Sequence, residues 1–171
     1  MPTLSTAQLS QLGLDDITQA SSPLLAEPVR LLESLTGRSQ EQKELELLGR
    51  LPTKLGFYYL VFRLDARWAN GGMQAVALDQ DSVFSARLLE RTLAAFDFFG
   101  ATATTALLRE IVPVAVLAAQ EIDVLVQRDA PDDEFEPVWA RLDAYDNRYD
   151  DAFSEVYPAI LADIHRNPND W

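Results

Sequence analysis

The stretch that most narrows what this chain can fold into runs from Phe57 to Gly100 and turns at Asn70-Gly71-Gly72. At 3.6 residues per turn, Leu55, Tyr58, Tyr59, Phe62 and Ala69 fall on one side of a helix. Phe57, Leu60, Val61, Leu64 and Trp68 cover most of the other side, and only a narrow stripe through Gly56, Arg63, Arg67 and Asn70 is polar or small. A helix apolar nearly all round must be surrounded by other elements, so it is expected at the centre of the fold. Asn70-Gly71-Gly72 supplies residues that tolerate positive φ, the chemistry of a helix C-cap and tight reversal. A branched residue at Gly71 is expected to destabilise the fold by being forced into a glycine conformation. A second helix, capped by Asp81 or Ser82, carries Phe84, Leu88, Ala95 and Phe99 on one ridge before Gly100 stops it.

The flanking segments read as further helices. Leu4 to Ala20 has Leu9, Leu12 and Ile17 at helical steps, with Gly13 weakening the middle; Ser21-Ser22-Pro23 breaks the chain. Leu24 to Leu35 follows, kinked or delayed by Pro28. Ser39 with Gln42 three residues on forms a capping box ahead of Leu45, Leu47, Leu48 and Leu51. Beyond Gly100, Thr102 is a candidate N-cap, and Pro113 is expected to kink or restart the helix that follows. Asp129 to Glu136 is an acidic loop, and Pro137 suits the first turn of the next helix. Leu142, Tyr145, Tyr149, Phe153, Val156 and Ile160 step by three or four, one apolar stripe kinked at Pro158. Asn167 to Asp170 reads as a frayed tail, and Met73 to Leu78 is the one place where a short strand is tolerated. The expected architecture is all-α, a single-domain multi-helix bundle over residues 1–171 around the central helix and its glycine turn.

Composition excludes several classes. The longest apolar run, Ile111 to Ala119, is too short to span a bilayer, and Met1 to Gly13 has no Lys or Arg to begin a secretory signal. Without cysteine there is neither a disulfide framework nor a thiolate metal site, and cytoplasmic residence is the default expectation. The informative quantity is charge. Asp and Glu number 27 against 14 Lys and Arg, a formal net of −13. Such a surface repels nucleic acid and anionic membranes and attracts basic partners, although acidity also serves solubility alone.

Catalytic constellations are not visible. Asp65 lies on the apolar side of the central helix, where a carboxylate must be paired or hydrogen-bonded. A raised-pKa catalytic acid is the functional reading. A buried acceptor for a tyrosine hydroxyl, an arginine or the turn amides is favoured, because spacing places no second acid or base nearby. His165 is the single histidine and has no metal-ligand spacing around it, so it reads as a surface residue. No phosphate-cradling glycine motif and no nucleophile signature occur. No cofactor and no metal are expected, and the protein is read as a non-enzyme.

The acids themselves are more suggestive. Twelve lie between Asp129 and Trp171, opposed only by Arg141, Arg148 and Arg166. Asp143, Asp146 and Asp150 follow three- and four-residue steps, which puts them about 5–6 Å apart along one helix edge beside the apolar stripe. A solvated helix face gives the same pattern, so spacing alone favours a basic partner only modestly.

Asn70-Gly71-Gly72 after an aromatic-rich helix, the Phe98-Phe99-Gly100-Ala101 join, and Leu142-Asp143-Ala144-Tyr145-Asp146-x-x-Tyr149-Asp150-Asp151 together resemble the small bacterial DNA-mimic proteins and their uncharacterised relatives. The resemblance covers roughly Leu51 to Leu161 and leaves residues 1–50 outside it. It implies an all-helical acidic protein, often a homodimer, whose carboxylates stand in for DNA phosphates on a transcription regulator. Carried over by position, the phosphate-like candidates are Asp143, Asp146, Asp150 and Asp151, with Asp132, Asp133 and Glu134 from the preceding loop. The leading expectation is an acidic protein-binding module that inhibits a nucleic-acid-binding protein. Its rivals are an immunity protein neutralising a co-encoded toxin and, less favoured, a hydrolase or metal enzyme built on carboxylates alone.

Overall fold

The computed structural model describes residues 4–78 and 85–171. Every regular element among them is helical: α1 Thr6–Leu9, α2 Leu14–Thr18, α3 Ala26–Ser34, α4 Gln40–Arg50, α5 Thr53–Ala69, α6 Gly72–Leu78, α7 Ala86–Phe98, α8 Thr102–Gln127, α9 Glu136–Asp143, α10 Asp146–Phe153 and α11 Val156–Arg166. Short 3₁₀ turns cover Pro23–Leu25, Asp132–Glu134 and Pro168–Asp170. The all-α bundle read from the sequence is therefore the observed architecture, and the buried side chains from Leu9 to Ile164 form one contiguous apolar cluster.

The central helix is α5. Tyr58, Leu60, Val61 and Leu64 are completely buried and Tyr59 and Trp68 nearly so, while Arg67 on the polar stripe stays exposed. Around it pack α4, α6 and α7, with α8 closing against α6, α7, α9 and α10. The ridge of α7 is set by Leu88, Ala95 and Phe99; Phe84 and the proposed caps Asp81 and Ser82 lie outside the described residues, and the hydroxyl that accepts from the Leu88 amide belongs to Ser85. Gly100 stops α7 at φ 76°. The Ala101 amide reaches the Phe96 carbonyl at 2.9 Å and the Gly100 amide the Asp97 carbonyl at 3.0 Å, the paired bonds of a Schellman ending.

Local signals account for most other boundaries. The Ser39–Gln42 capping box is formed in both directions. Pro28 and Pro137 occupy the first turns of α3 and α9, where no intrahelical donor is missed. Pro158 sits in the same way in the first turn of α11, so it helps to start a helix rather than kink one.

Several expectations are corrected. Leu4 to Ala20 is two short helices, because Gly13 is extended and begins α2, its amide donating to the Asp16 carboxylate at 2.7 Å. Met73 to Leu78 is α6 rather than a strand. Ala101 rather than Thr102 holds the N-cap position of α8, with no side-chain cap, and the helix runs without interruption through Pro113. This 26-residue helix is long and apolar enough to cross a membrane, yet 44% of its most apolar window is buried against its neighbours, as in the core helix of a bundle. Leu117, Val124 and Val126 remain exposed on its outer side.

The stripe from Leu142 to Ile160 spans three helices, with breaks after Asp143 and Phe153 that its periodicity does not mark. The C-terminal tail is also docked. Trp171 stacks on Phe99 at a centroid distance of 6.0 Å and meets Tyr58 edge-on at 6.4 Å. Its indole N–H donates to Asp163 at 3.0 Å, and Lys54 reaches the same carboxylate at 2.7 Å. Because Trp171 covers the outer ends of α5 and α7, Trp171→Ala should destabilise the protein by about 2 kcal/mol in urea unfolding.

Candidate functional site

Where α5 ends, its side-chain cap is already unusual. Asn70 bonds back to the Ala66 carbonyl at 2.5 Å, and Gly71, the residue before α6, has no side chain with which to cap it. The first amides of a helix need acceptors. Here the Met73 amide donates to the Asp146 carboxylate at 2.8 Å, a partner 73 residues away in sequence. Asp146 is at the same time the first residue of α10, where a negative charge is favoured by the helix dipole. One carboxylate thus serves two helix N-termini.

That arrangement dictates Gly72. Its φ is 58°, a left-handed conformation, and a Cβ at this position would stand 2.4 Å from an Asp146 oxygen. Gly71, at φ 159°, is close to extended and would bring a Cβ to 3.0 Å of Ala75. The demand for glycine is therefore sharpest at Gly72, while Gly71 also holds a φ that side chains rarely adopt. Two further contacts fasten the junction. Gln74 donates to Asp143 at 2.6 Å, and Trp68 stacks on Tyr149 with centroids 3.8 Å apart and planes 7° from parallel.

The seven carboxylates named from the sequence divide accordingly. Asp146 is half-buried and engaged by the turn, whereas Asp132, Asp133, Glu134, Asp143, Asp150 and Asp151 are exposed. Asp143 and Asp146 do not share one continuous helix edge, since α9 ends at the first and α10 begins at the second. Basic residues are drawn elsewhere. Arg148 makes a two-pronged contact to Glu110 on α8 at 2.6 and 2.7 Å, Arg141 pairs with Glu121 on the same helix, and Arg128 with Glu134. Exposed pairs of this kind add only about 0–1 kcal/mol each. Their consequence is positional: among the described residues, Asp132, Asp133, Asp143, Asp150 and Asp151 have no ion-pair partner.

Asp65 is the acceptor anticipated for a tyrosine. The Tyr157 hydroxyl donates to it at 3.0 Å. Burial pushes the Asp65 carboxyl above its ordinary value, the Tyr157 hydrogen bond pulls the other way, and the Asp150 charge adds to the rise. His165 is exposed, its Nε2 2.9 Å from the Leu12 carbonyl. Among the described residues no three His, Cys, Asp or Glu side chains converge as a metal site.

A family model described as DMP19-like protein matches residues 49–167, most of the chain and nearly the same span as the motifs noted above. No curated protein and no solved structure matches the chain.

The junction generates two predictions. Gly72→Ala should cost about 2–3 kcal/mol, from the left-handed backbone and the displaced cap. Its penalty and that of Asp146→Ala should sum to more than the double variant loses, because the first change displaces the carboxylate that the second removes; additive urea midpoints would contradict the shared-cap geometry. For Asp65, a carboxyl that holds its proton more tightly in the folded state makes stability fall as pH rises above the ordinary value of 3.8. The penalty is complete once the pH passes the folded value. Asp65→Asn keeps an acceptor for Tyr157 and should gain on the parent protein as pH rises from about 4 to about 7 in a urea titration series.

Proposed function

The chain belongs to the DMP19-like protein family, and from that membership we propose that it is a DNA-mimic protein, an acidic module that occupies the basic nucleic-acid-binding surface of a partner. The observation that carries this reading is the uncompensated run of exposed aspartates on and before α9 and α10. Arg141 and Arg148 lie in the same segment but are turned onto glutamates of α8. The positive charge of the segment is thus met by glutamates of α8, while its exposed aspartates keep no ion-pair partner among the described residues.

Phosphates along duplex DNA present closely spaced charges that a partner's Lys and Arg side chains neutralise. Carboxylates fixed on short, mutually packed helices offer the same groups the same kind of counter-charge. Attraction of this type accelerates encounter and falls with ionic strength, since exposed charges are screened beyond about 10 Å at 0.1 M salt. No bond-making step is required of such a protein.

The test is capture from a host lysate on immobilised protein, with bound proteins identified by mass spectrometry. Nucleic-acid-binding proteins should be recovered, and both added duplex DNA and rising salt should release them. Reversal of Asp132, Asp133, Asp143 and Asp151 to Lys should reduce recovery by roughly tenfold or more, with the thermal melt confirming the fold. Recovery that survives both the reversal and competing DNA would overturn the reading.

A further inference from the structure

A recess of about 290 Å³ opens between α5, the glycine turn and α10. Asp65, Asp146 and Asp150 line it together with Trp68, Tyr149 and Gly72, and no Lys, Arg or His contributes to its wall. Two polar atoms beside it have no hydrogen-bond partner. They are the Tyr149 hydroxyl and the Trp68 indole N–H, on side chains only 1% and 4% exposed. The hydroxyl lies within reach of the charges on Asp65 and Asp150, both of which face the recess. A buried polar group left unmatched costs about 1–3 kcal/mol, so this wall is incomplete as it stands.

We infer that the recess takes one arginine side chain of the basic partner together with the peptide group next to it, an inference that rests on the reading under Proposed function. The volume lies at the bottom of the range of roughly 300–1,000 Å³ that small-molecule pockets occupy, which suits a single side chain. The carboxylates ask for a cation, and the absence of three converging metal-ligating side chains among the described residues speaks against a bare divalent ion. A guanidinium offers five donors in a planar fork, enough for Asp65, Asp150 and the Tyr149 oxygen at once. Its aliphatic stem suits the apolar part of the wall, where Trp68 and Ala69 lie. The indole N–H asks for the opposite, an acceptor. A main-chain carbonyl beside the arginine supplies it, whereas a polyamine has only donors.

Entry of a cation also relieves what the empty recess suffers. Asp65 is held against its charge by burial and by the Asp150 charge, and a guanidinium beside it favours its ionised form. Asp132, Asp133 and Asp143 then act at the rim by steering, while the recess supplies a desolvated anchor of the kind that arginine makes at interface centres.

The probe is N-acetyl-arginine N-methylamide, added to the full chain labelled with ¹⁵N, with the Trp68 indole resonance assigned through Trp68→Phe. A saturable shift of that resonance is expected. The neutral citrulline analogue and putrescine should produce none, and Asp150→Asn and Tyr149→Phe should each weaken the response by roughly tenfold. Both variants keep the Trp68 stack, and Asp150 is exposed, so both should fold. A shift equalled by citrulline, putrescine or plain salt, or one unchanged in both variants, overturns the anchor. If that happens while reversal of Asp132, Asp133, Asp143 and Asp151 still abolishes capture, the acidic-face reading stands and only the recess is lost.

Discussion

The hydrogen bond from the Met73 amide to Asp146 is the contact on which the arrangement of this molecule turns. It joins the exit of the central helix to the helices that carry the acidic segment, and it does so at a position where only glycine fits. Gly72 must be left-handed for the chain to reverse, and it must lack a Cβ for the carboxylate to approach. Neither requirement alone singles out the pair. Together they bind residue 72 to residue 146, and with them α5 and α6 to α10. The Trp68–Tyr149 stack and the Gln74–Asp143 bond add to it, so the acidic segment is tied to α5 and α6 at three points.

This placement separates two uses of negative charge. A protein carrying a formal −13 works against its own repulsion when it folds. The structure relieves part of that by assigning carboxylates to fixed donors: Asp146 to an amide, Asp65 to Tyr157, Asp163 to Lys54, Asn167 and Trp171. For Asp163 these partners pull the carboxyl below its ordinary value, against the desolvation that raises it and is the largest single contribution. The remaining aspartates of the segment have no basic partner among the described residues. They are the ones on which the proposed binding function rests.

What the sequence made legible was local. Apolar coverage all round Thr53 to Ala69 follows from helical spacing, and it marks α5 as central without any knowledge of its neighbours. Ser39 and Gln42 sit three residues apart, so their reciprocal bonds could be read directly. The misses are contacts made across long separations. The helix at Gly72 to Leu78 is seven residues long and draws its cap from α10, so neither its length nor its own residues announce it. Trp171 looks like a loose end until Tyr58, Phe99 and Asp163 are brought beside it. Of the seven candidate carboxylates, six lie exposed. The seventh, Asp146, is drawn inward by an amide that its own neighbourhood does not reveal.

The inward turn of Asp146 bears on how a resemblance should be used. An aspartate read together with an Asn-Gly-Gly turn as one motif suggests a binding surface, but here the two features are a single structural device. Gly72 and Asp146 require each other physically, so their joint presence follows from the fold and says nothing of a partner. The residues free of that requirement are Asp132, Asp133, Asp150 and Asp151, which accept no hydrogen bond from a distant element among the described residues. A functional argument for this protein therefore gains strength from the carboxylates that the scaffold does not need. On the proposed reading, these carboxylates are the ones that a basic macromolecular surface would meet, held in place by the packing of short helices.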